Sequence, residues 1–263
     1  MITKDMSHWE TNISQVISND DEEEILIRGH KMSDLIGNVT FAGAMFLMLQ
    51  GRLPSTPENK LLDALLVASI EHGIAPPSMV SRCFASYGTS IQAAVGGGVL
   101  AFGDRMGGLG EQLAKLLFEC VQAHGLRAGE QKPIAAAATA MVQEHNENRA
   151  RLPGFGIPLH GADPRAPHVL DIARSQGLFG VHCELAVELE SALASARGGR
   201  RVPMNLDGVG AAVILDLGFD WQAARLFLIT PRTVSMGAHY LEEVAQDSAW
   251  RHIPAEQIDY TGG

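Results

Sequence analysis

The side chains that could do chemistry in this chain gather in four short stretches between apolar segments. These stretches are residues 71–78 (EHGIAPPS), 96–108 (GGGVLAFGDRMGG), 152–167 (LPGFGIPLHGADPRAP) and 205–208 (NLDG). They supply histidine and aspartate, which transfer protons, and arginine, whose planar guanidinium binds carboxylates. Their spacing matches neither a metal-ligand set nor a nucleophile elbow, and GDRMGG lacks the lysine of a phosphate-binding loop. We therefore expect an enzyme that holds no metal ion.

Two of these residues also have purely structural explanations. His72 precedes a glycine and a Pro-Pro pair, so it lies at a helix end, where a histidine is more often structural than catalytic. Asp207 follows a basic linker and begins an apolar segment, where aspartate is a common N-cap. Local patterns alone leave both interpretations open.

Helices must position these stretches, because apolar residues recur at helical spacing along nearly the whole chain. Thr40 predicts an N-cap and Gly51 a helix end. The predicted helices cover residues 40–50, 61–69, 109–121, 178–193 and 208–217, followed by a last helix that Pro231 opens and that runs through Ala245. No alternating run is bounded by hairpin signals. The sequence therefore predicts an all-α fold.

Composition limits the partners and the compartment. The chain has 263 residues and a formal net charge of −10, which disfavours nucleic acid and anionic membranes as partners. The three cysteines form no CxxC pair, which is typical of a reducing cytoplasm. The acidic beginning does not resemble a signal peptide, and no apolar stretch is long enough to span a bilayer. We expect a cytoplasmic protein whose ligands are small molecules.

Taken together and in order, the motifs resemble those of the citrate synthase superfamily. The resemblance begins at IRGH (27–30), continues through EHG, the glycine-rich segment, GFG…DPRAP and NLDG, and ends in PRTVSMGAHYLEE. It covers residues 27–252. GDRMGG stands where synthases have GPLHGG, and it is similar to the lyase module of ATP-citrate lyase and to stand-alone bacterial citryl-CoA lyases. The resemblance thus favours the citryl-CoA lyase branch.

That resemblance implies roles for particular residues. Asp207 matches the aspartate that handles the methyl proton of the acetyl group. His72 matches a histidine that hydrogen-bonds the substrate oxygens. Arg165 matches an arginine that pairs with a substrate carboxylate, and Arg232 matches one that can reach the active site of a neighbouring subunit. Arg105 is a further candidate contact to substrate.

One departure from the family pattern lies at the centre of the 152–167 stretch. Ile157 stands where the family has a histidine that binds substrate, and His160 follows as in the lyase pattern. An isoleucine can neither bind a hydroxyl nor transfer a proton. His160 could do this work instead, Ile157 could select another substrate, or catalysis could be lost.

The resemblance implies cleavage of citryl-CoA to acetyl-CoA and oxaloacetate, with a coenzyme A thioester as substrate. Two alternatives stay open: a related aldol or Claisen lyase or synthase, acting on another 3-hydroxy-3-carboxyacyl-CoA or 2-oxo acid, and a degenerate protein that only binds an acyl-CoA or a dicarboxylate. The implied architecture is a homodimer. Residues 1–108 with 205–263 would form a large helical domain, and residues 109–204 a small domain that contacts coenzyme A.

Overall fold

The computed structural model describes residues 8–156, 161–247 and 249–262. It contains a small sheet of three strands, β1 to β3, followed by eleven α-helices, α1 to α11. In order, these elements are β1 (Ser14–Ser18), β2 (Glu23–Ile27), β3 (His30–Lys31), α1 (Met32–Leu35), α2 (Phe41–Gln50), α3 (Thr56–Ser69), α4 (Pro76–Ser86), α5 (Ile91–Leu100), α6 (Leu109–His124), α7 (Gln131–Glu147), α8 (Arg165–Ser175), α9 (Val181–Ala196), α10 (Leu206–Asp216) and α11 (Ala224–Ala245). The helical body confirms the all-α class.

The N-terminal sheet was not expected from the sequence. Strands β1 and β2 pair antiparallel, with Ser14 opposite Ile27, and β3 continues the sheet at the other edge of β2. The turn between the first two strands is built by Asn19, whose side-chain oxygen accepts hydrogen bonds from two backbone amides. The strands are short, and an acidic run interrupts their alternation. The expectation that the chain forms no strand is therefore wrong for this segment.

Helix α10 lies at the centre of the apolar core. Eight of its eleven residues are buried, and it packs against α3, α6, α8, α9 and α11. A helix that is apolar on all sides is stable only when other helices surround it. Its surroundings include three phenylalanine rings in edge-to-face contact. The centroid of the Phe219 ring lies 5.0 Å from that of Phe46 and 4.8 Å from that of Phe227.

Both ends of α10 are fixed by close contacts with neighbouring segments. At its start, the backbones of Gly154 and Gly208 touch, and a Cβ on Gly208 would lie 2.4 Å from the Gly154 carbonyl oxygen. At its end, the buried carboxylate of Asp216 accepts hydrogen bonds from the backbone N–H groups of Gly180 and Cys183 at 2.9 and 3.0 Å. These amides belong to the start of α9, whose unpaired N–H groups favour a negative charge.

The last long helix begins earlier than the sequence predicts. Thr230 and Pro231 were expected to open it, but α11 begins at Ala224 and continues through the proline. Phe227, Pro231 and Ser235 are all buried at a spacing of four residues, so one packed face runs across the break in hydrogen bonding. Packing along this face outweighs the local cost of the proline.

Other helix boundaries agree with the predicted signals. The Thr40 side chain accepts a hydrogen bond from the Gly43 amide and caps α2, and Gly51 ends that helix in the left-handed conformation. In the described part of the chain, no helix is both long and apolar enough to cross a membrane.

Candidate active site

Asp207 lies in the first turn of α10 but does not cap it. The N-cap is Asn205, whose side-chain oxygen accepts the Gly208 N–H at 3.1 Å. The Asp207 carboxyl is thus left for another task. It lines a narrow pocket of about 30 Å³, whose other walls are mainly apolar side chains, among them Leu65, Leu206, Ile214 and Phe227.

The surroundings of Asp207 change its acidity. Burial raises the pKa of this carboxyl to about 6, although Arg165 and Arg232 oppose the rise. A carboxyl that titrates near neutral pH can both accept and release a proton, which is typical of a general acid or base.

Arg165 is fixed by a carboxylate that also holds α10. Asp163 is buried and receives two hydrogen bonds from the guanidinium of Arg165, at 2.9 and 2.7 Å. The same carboxylate accepts the Leu206 backbone N–H at 3.1 Å. Burial opposes the ionisation of Asp163, but these bonds and the charge of Arg165 keep its pKa below the usual value. One ion pair thereby joins the start of α8 to the start of α10, beside Asp207.

Arg232 reaches the same region from α11. Its side chain is buried, and burial lowers its pKa. Its Nη1 lies 3.7 Å from Oε1 of Glu71. Its Nε is buried and donates no hydrogen bond to any group in the described residues. Arg165 and Arg232 therefore place two cationic groups near Asp207, which suits a ligand that carries carboxylates.

His72 lies in the loop after α3, and its backbone N–H donates to the Glu71 carboxylate at 2.8 Å. It follows Glu71, which pairs with Arg232, so the histidine is one residue from this group of charges. The expected helix-end location of His72 is thus confirmed. Its role toward a substrate stays a prediction.

No hydrogen bond or ion pair among the described residues joins Arg105 to this group. It is exposed on the turn that Gly103 and Met106 close by backbone hydrogen bonds. Its neighbour Asp104 pairs with Arg225 of α11, which fixes the turn. Nothing in the described contacts brings Arg105 to Asp207.

Ile157 and His160 lie outside the described residues. The described start of their loop is attached to the segment before Asp207: the Gly156 N–H donates to the Pro203 carbonyl at 2.7 Å, and the Asn205 side chain donates to the Gly156 carbonyl at 2.8 Å.

Sequence reasoning missed Glu71, Asp163, Ser235 and His239, although all four lie within quoted motifs. Glu71 receives hydrogen bonds from Ser235 and from its neighbour's backbone, and His239 lies 3.3 Å away. Burial opposes its ionisation, but these contacts and Arg232 lower the pKa of Glu71 below its usual value. Two of these carboxylates could have been found from their positions in the motifs, because Glu71 directly precedes His72 in EHG and Asp163 lies two positions before Arg165 in DPR. No group of metal-binding side chains occurs within the described ranges.

Comparison with known proteins gives a consistent family. Residues 54–253 match the family model of the citrate synthase C-terminal domain. Among curated proteins, the glyoxysomal citrate synthase of Cucurbita maxima is 24% identical over 273 residues, which cover 90% of this chain and 50% of that protein. The chain spans about half the length of the curated relatives it matches.

Two solved structures resemble the whole chain. Citryl-CoA lyase from Hydrogenobacter thermophilus has a TM-score of 0.86 and 34% identity, covering 97% of this chain and 95% of its own. ATP citrate lyase from Methanosaeta concilii, solved in complex with (3S)-citryl-CoA, has a TM-score of 0.78 and 19% identity, covering 99% of this chain and 42% of its own. The second likeness concerns the fold alone.

Proposed function

The chain belongs to the citrate synthase family, and from that premise we propose that it is a carbon–carbon lyase that cleaves citryl-CoA to acetyl-CoA and oxaloacetate. The observation that carries the proposal is Asp207, a carboxyl with a pKa of about 6 near two arginines. The likeness to a citryl-CoA lyase over nearly the full length of both chains supports this branch.

In the proposed reaction, a base removes the proton of the tertiary hydroxyl, and the carbon–carbon bond beside the thioester breaks. The electron pair of that bond becomes the enolate of acetyl-CoA, and the oxygen forms the new carbonyl of oxaloacetate. Protonated Asp207 then gives its proton to the enolate carbon. We assign the hydroxyl proton to His160, the polarisation of a substrate oxygen to His72, and the carboxylates to Arg165 and Arg232.

The first experiment supplies (3S)-citryl-CoA and follows oxaloacetate through malate dehydrogenase and NADH. We expect turnover in the wild type and a loss of about two to four orders of magnitude in kcat for Asp207→Asn, because the amide cannot transfer the proton. Unchanged turnover in Asp207→Asn would contradict the proposal.

Ile157→His separates the alternatives. A large gain in kcat would mean that the site is otherwise complete and that the wild type works without the family's first histidine. Binding of citryl-CoA without turnover, in both the wild type and this variant, would favour the binding protein. Turnover only with another acyl-CoA or 2-oxo acid would favour the related lyase or synthase, and a citrate synthase would run mainly from oxaloacetate and acetyl-CoA.

We include the expected architecture in the proposal. Exposed apolar side chains on the packed helices α4, α5 and α11, including Met79, Leu100, Val234 and Leu241, support a homodimer. Size-exclusion chromatography with light scattering would test the homodimer.

The two-domain division, with residues 1–108 and 205–263 in one domain and 109–204 in the other, and the cytoplasmic location stay predictions. The free thiols of Cys83, Cys120 and Cys183 support a reducing compartment.

A further inference from the structure

Glu71 occupies the junction between the loop after α3 and one face of α11. Three side chains of that helix meet its carboxylate. The Ser235 hydroxyl donates to Oε2, the Nε2 atom of His239 lies 3.3 Å from the same oxygen, and Nη1 of Arg232 lies 3.7 Å from Oε1. These residues are spaced three to four positions apart, so they share one face of the helix. Glu71 thus contacts three side chains on one face of α11, and Arg232 is one of them.

His239 extends this contact to a second arginine. Its Nδ1 lies 3.3 Å from Nη1 of Arg82 on α4. An arginine has only donors, so Nδ1 must be the acceptor, and the neutral ring then carries its proton on Nε2, facing Glu71. Arg82 is itself fixed by Glu243 at 2.7 Å. The histidine is therefore bound on both nitrogens and cannot turn without breaking two contacts.

We propose that Glu71 is a positioning residue of the candidate active site: it orients Arg232 toward the ligand carboxylate, with His239 and Ser235 holding the glutamate in place. The inference rests on the proposed function, because it assumes that Arg232 binds a carboxylate of the substrate. Its basis is geometric. The buried guanidinium has Glu71 as an anionic neighbour 3.7 Å from Nη1, and its Nε donates no hydrogen bond within the described part of the chain, so the glutamate attracts one end of the fork and leaves donors for the ligand.

The test compares Glu71→Gln with Glu242→Gln. Glu242 pairs with Arg82 in the same network but is more than half exposed. Both variants remove one negative charge from the same region, and only the first removes a partner of Arg232. Kinetics are measured in the synthetic direction, where oxaloacetate and acetyl-CoA have separate KM values. Isothermal titration with oxaloacetate measures Kd whether or not turnover occurs.

We expect Glu71→Gln to raise the oxaloacetate Kd and KM about 10- to 100-fold, the size of effect expected when a hydrogen bond to a charged group is weakened. The acetyl-CoA KM should not change, and Glu242→Gln should behave as the wild type. Glu71→Asp, which keeps the charge, should recover part of the loss. In Arg232→Lys, the further change Glu71→Gln should add little, because both substitutions affect one contact.

Other results would overturn the inference. Oxaloacetate binding by Glu71→Gln equal to that of the wild type would show that Arg232 does not need the glutamate. Equal losses for both substrates, together with a fall in Tm, would indicate a structural role only. A wild type that binds oxaloacetate without turnover would refute the proposed function and leave the Kd comparison valid. A wild type that does not bind oxaloacetate would refute both.

Discussion

At the scale of single residues, the ionised form of Asp207 is energetically unfavourable in the folded protein. The carboxyl is kept among apolar side chains, where its charged form is disfavoured. Its neighbours offset only part of this cost, because Arg165 and Arg232 lower its pKa and burial dominates. A carboxyl that is to hold a proton near neutral pH and still be able to release it needs its charged form destabilised in this way.

Replacing this carboxyl should therefore stabilise the fold while removing activity. The folded pKa of about 6 exceeds the ordinary value of 3.8. The contribution of this carboxyl to the free energy of unfolding is thus complete below pH 4 and is lost as the pH rises through 6. Asp207→Asn should be more stable than the wild type by about 2–3 kcal/mol at pH 8 and equal to it near pH 4. Urea unfolding at both pH values measures the difference, and a variant less stable at pH 8 would contradict the assigned burial.

At the scale of elements, the start of α10 depends on glycine for a steric reason. The chain around Gly154, which has a φ of +82°, meets the helix so closely that a Cβ at position 208 has no space. In the same helix, a Cβ on Gly210 would meet only Leu65, at 3.7 Å. A side chain thus has no space at Gly208 but has space at Gly210 in the same helix, and the sequence alone does not distinguish the two positions.

Gly208→Ala should destabilise the protein by about 2 kcal/mol or more, since backbone atoms must move to accept the methyl group. Gly210→Ala is the matched control, and it should be neutral or stabilising by up to about 1 kcal/mol, because alanine favours helix and the space is free. Thermal unfolding of both variants measures this. Equal effects on stability would mean that helix propensity, and not the close approach of the two backbones at Gly208, determines the change.

At the scale of the whole molecule, a buried ion network ties the C-terminal segment to the helices. Glu243 of α11 has a fully buried side chain, lying 2.7 Å from Arg82 of α4 and 2.6 Å from Arg251. The Arg251 amide also donates to the Ser86 hydroxyl at 3.0 Å. Residues from three separate parts of the chain thus depend on one carboxylate.

Glu243→Gln should cost about 3–5 kcal/mol, because it leaves the Arg82 charge buried without its main partner. Glu242→Gln, which removes an exposed partner of the same arginine, should cost less than about 1 kcal/mol. Guanidinium unfolding distinguishes the two. A small loss in Glu243→Gln would mean that Glu242 and solvent replace the buried partner.

The sequence predicted what short-range patterns can carry. The Thr40 cap, the end at Gly51 and the apolar helix around Val213 follow from local rules, and they are confirmed. The early start of α11 was hidden, because the proline rule is local whereas the packing that overrides it is not. Strand β2 was missed because charged residues obscure a pairing that only its partner strand completes.

For the candidate site, motif order grouped candidate side chains from separate parts of the chain but did not predict how they are held, and their roles toward a substrate stay predictions. Asp207, Arg165 and Arg232 come from separate motifs, and their charges act on one another in the structure. The carboxylates that fix the arginines could not be inferred in the same way. Glu71 and Arg232 are 161 positions apart in the sequence, and no periodicity relates residues at such a distance.

The contact between Gly154 and Gly208 has a mechanical consequence. A side chain between two segments can change rotamer and absorb a displacement, but two backbones in direct contact have no such compliance. A hydrogen bond also holds this contact, because the Asn205 backbone N–H donates to the Gly154 carbonyl at 3.0 Å. A shift of the loop would therefore be transmitted directly to the first turn of α10, which carries Asp207.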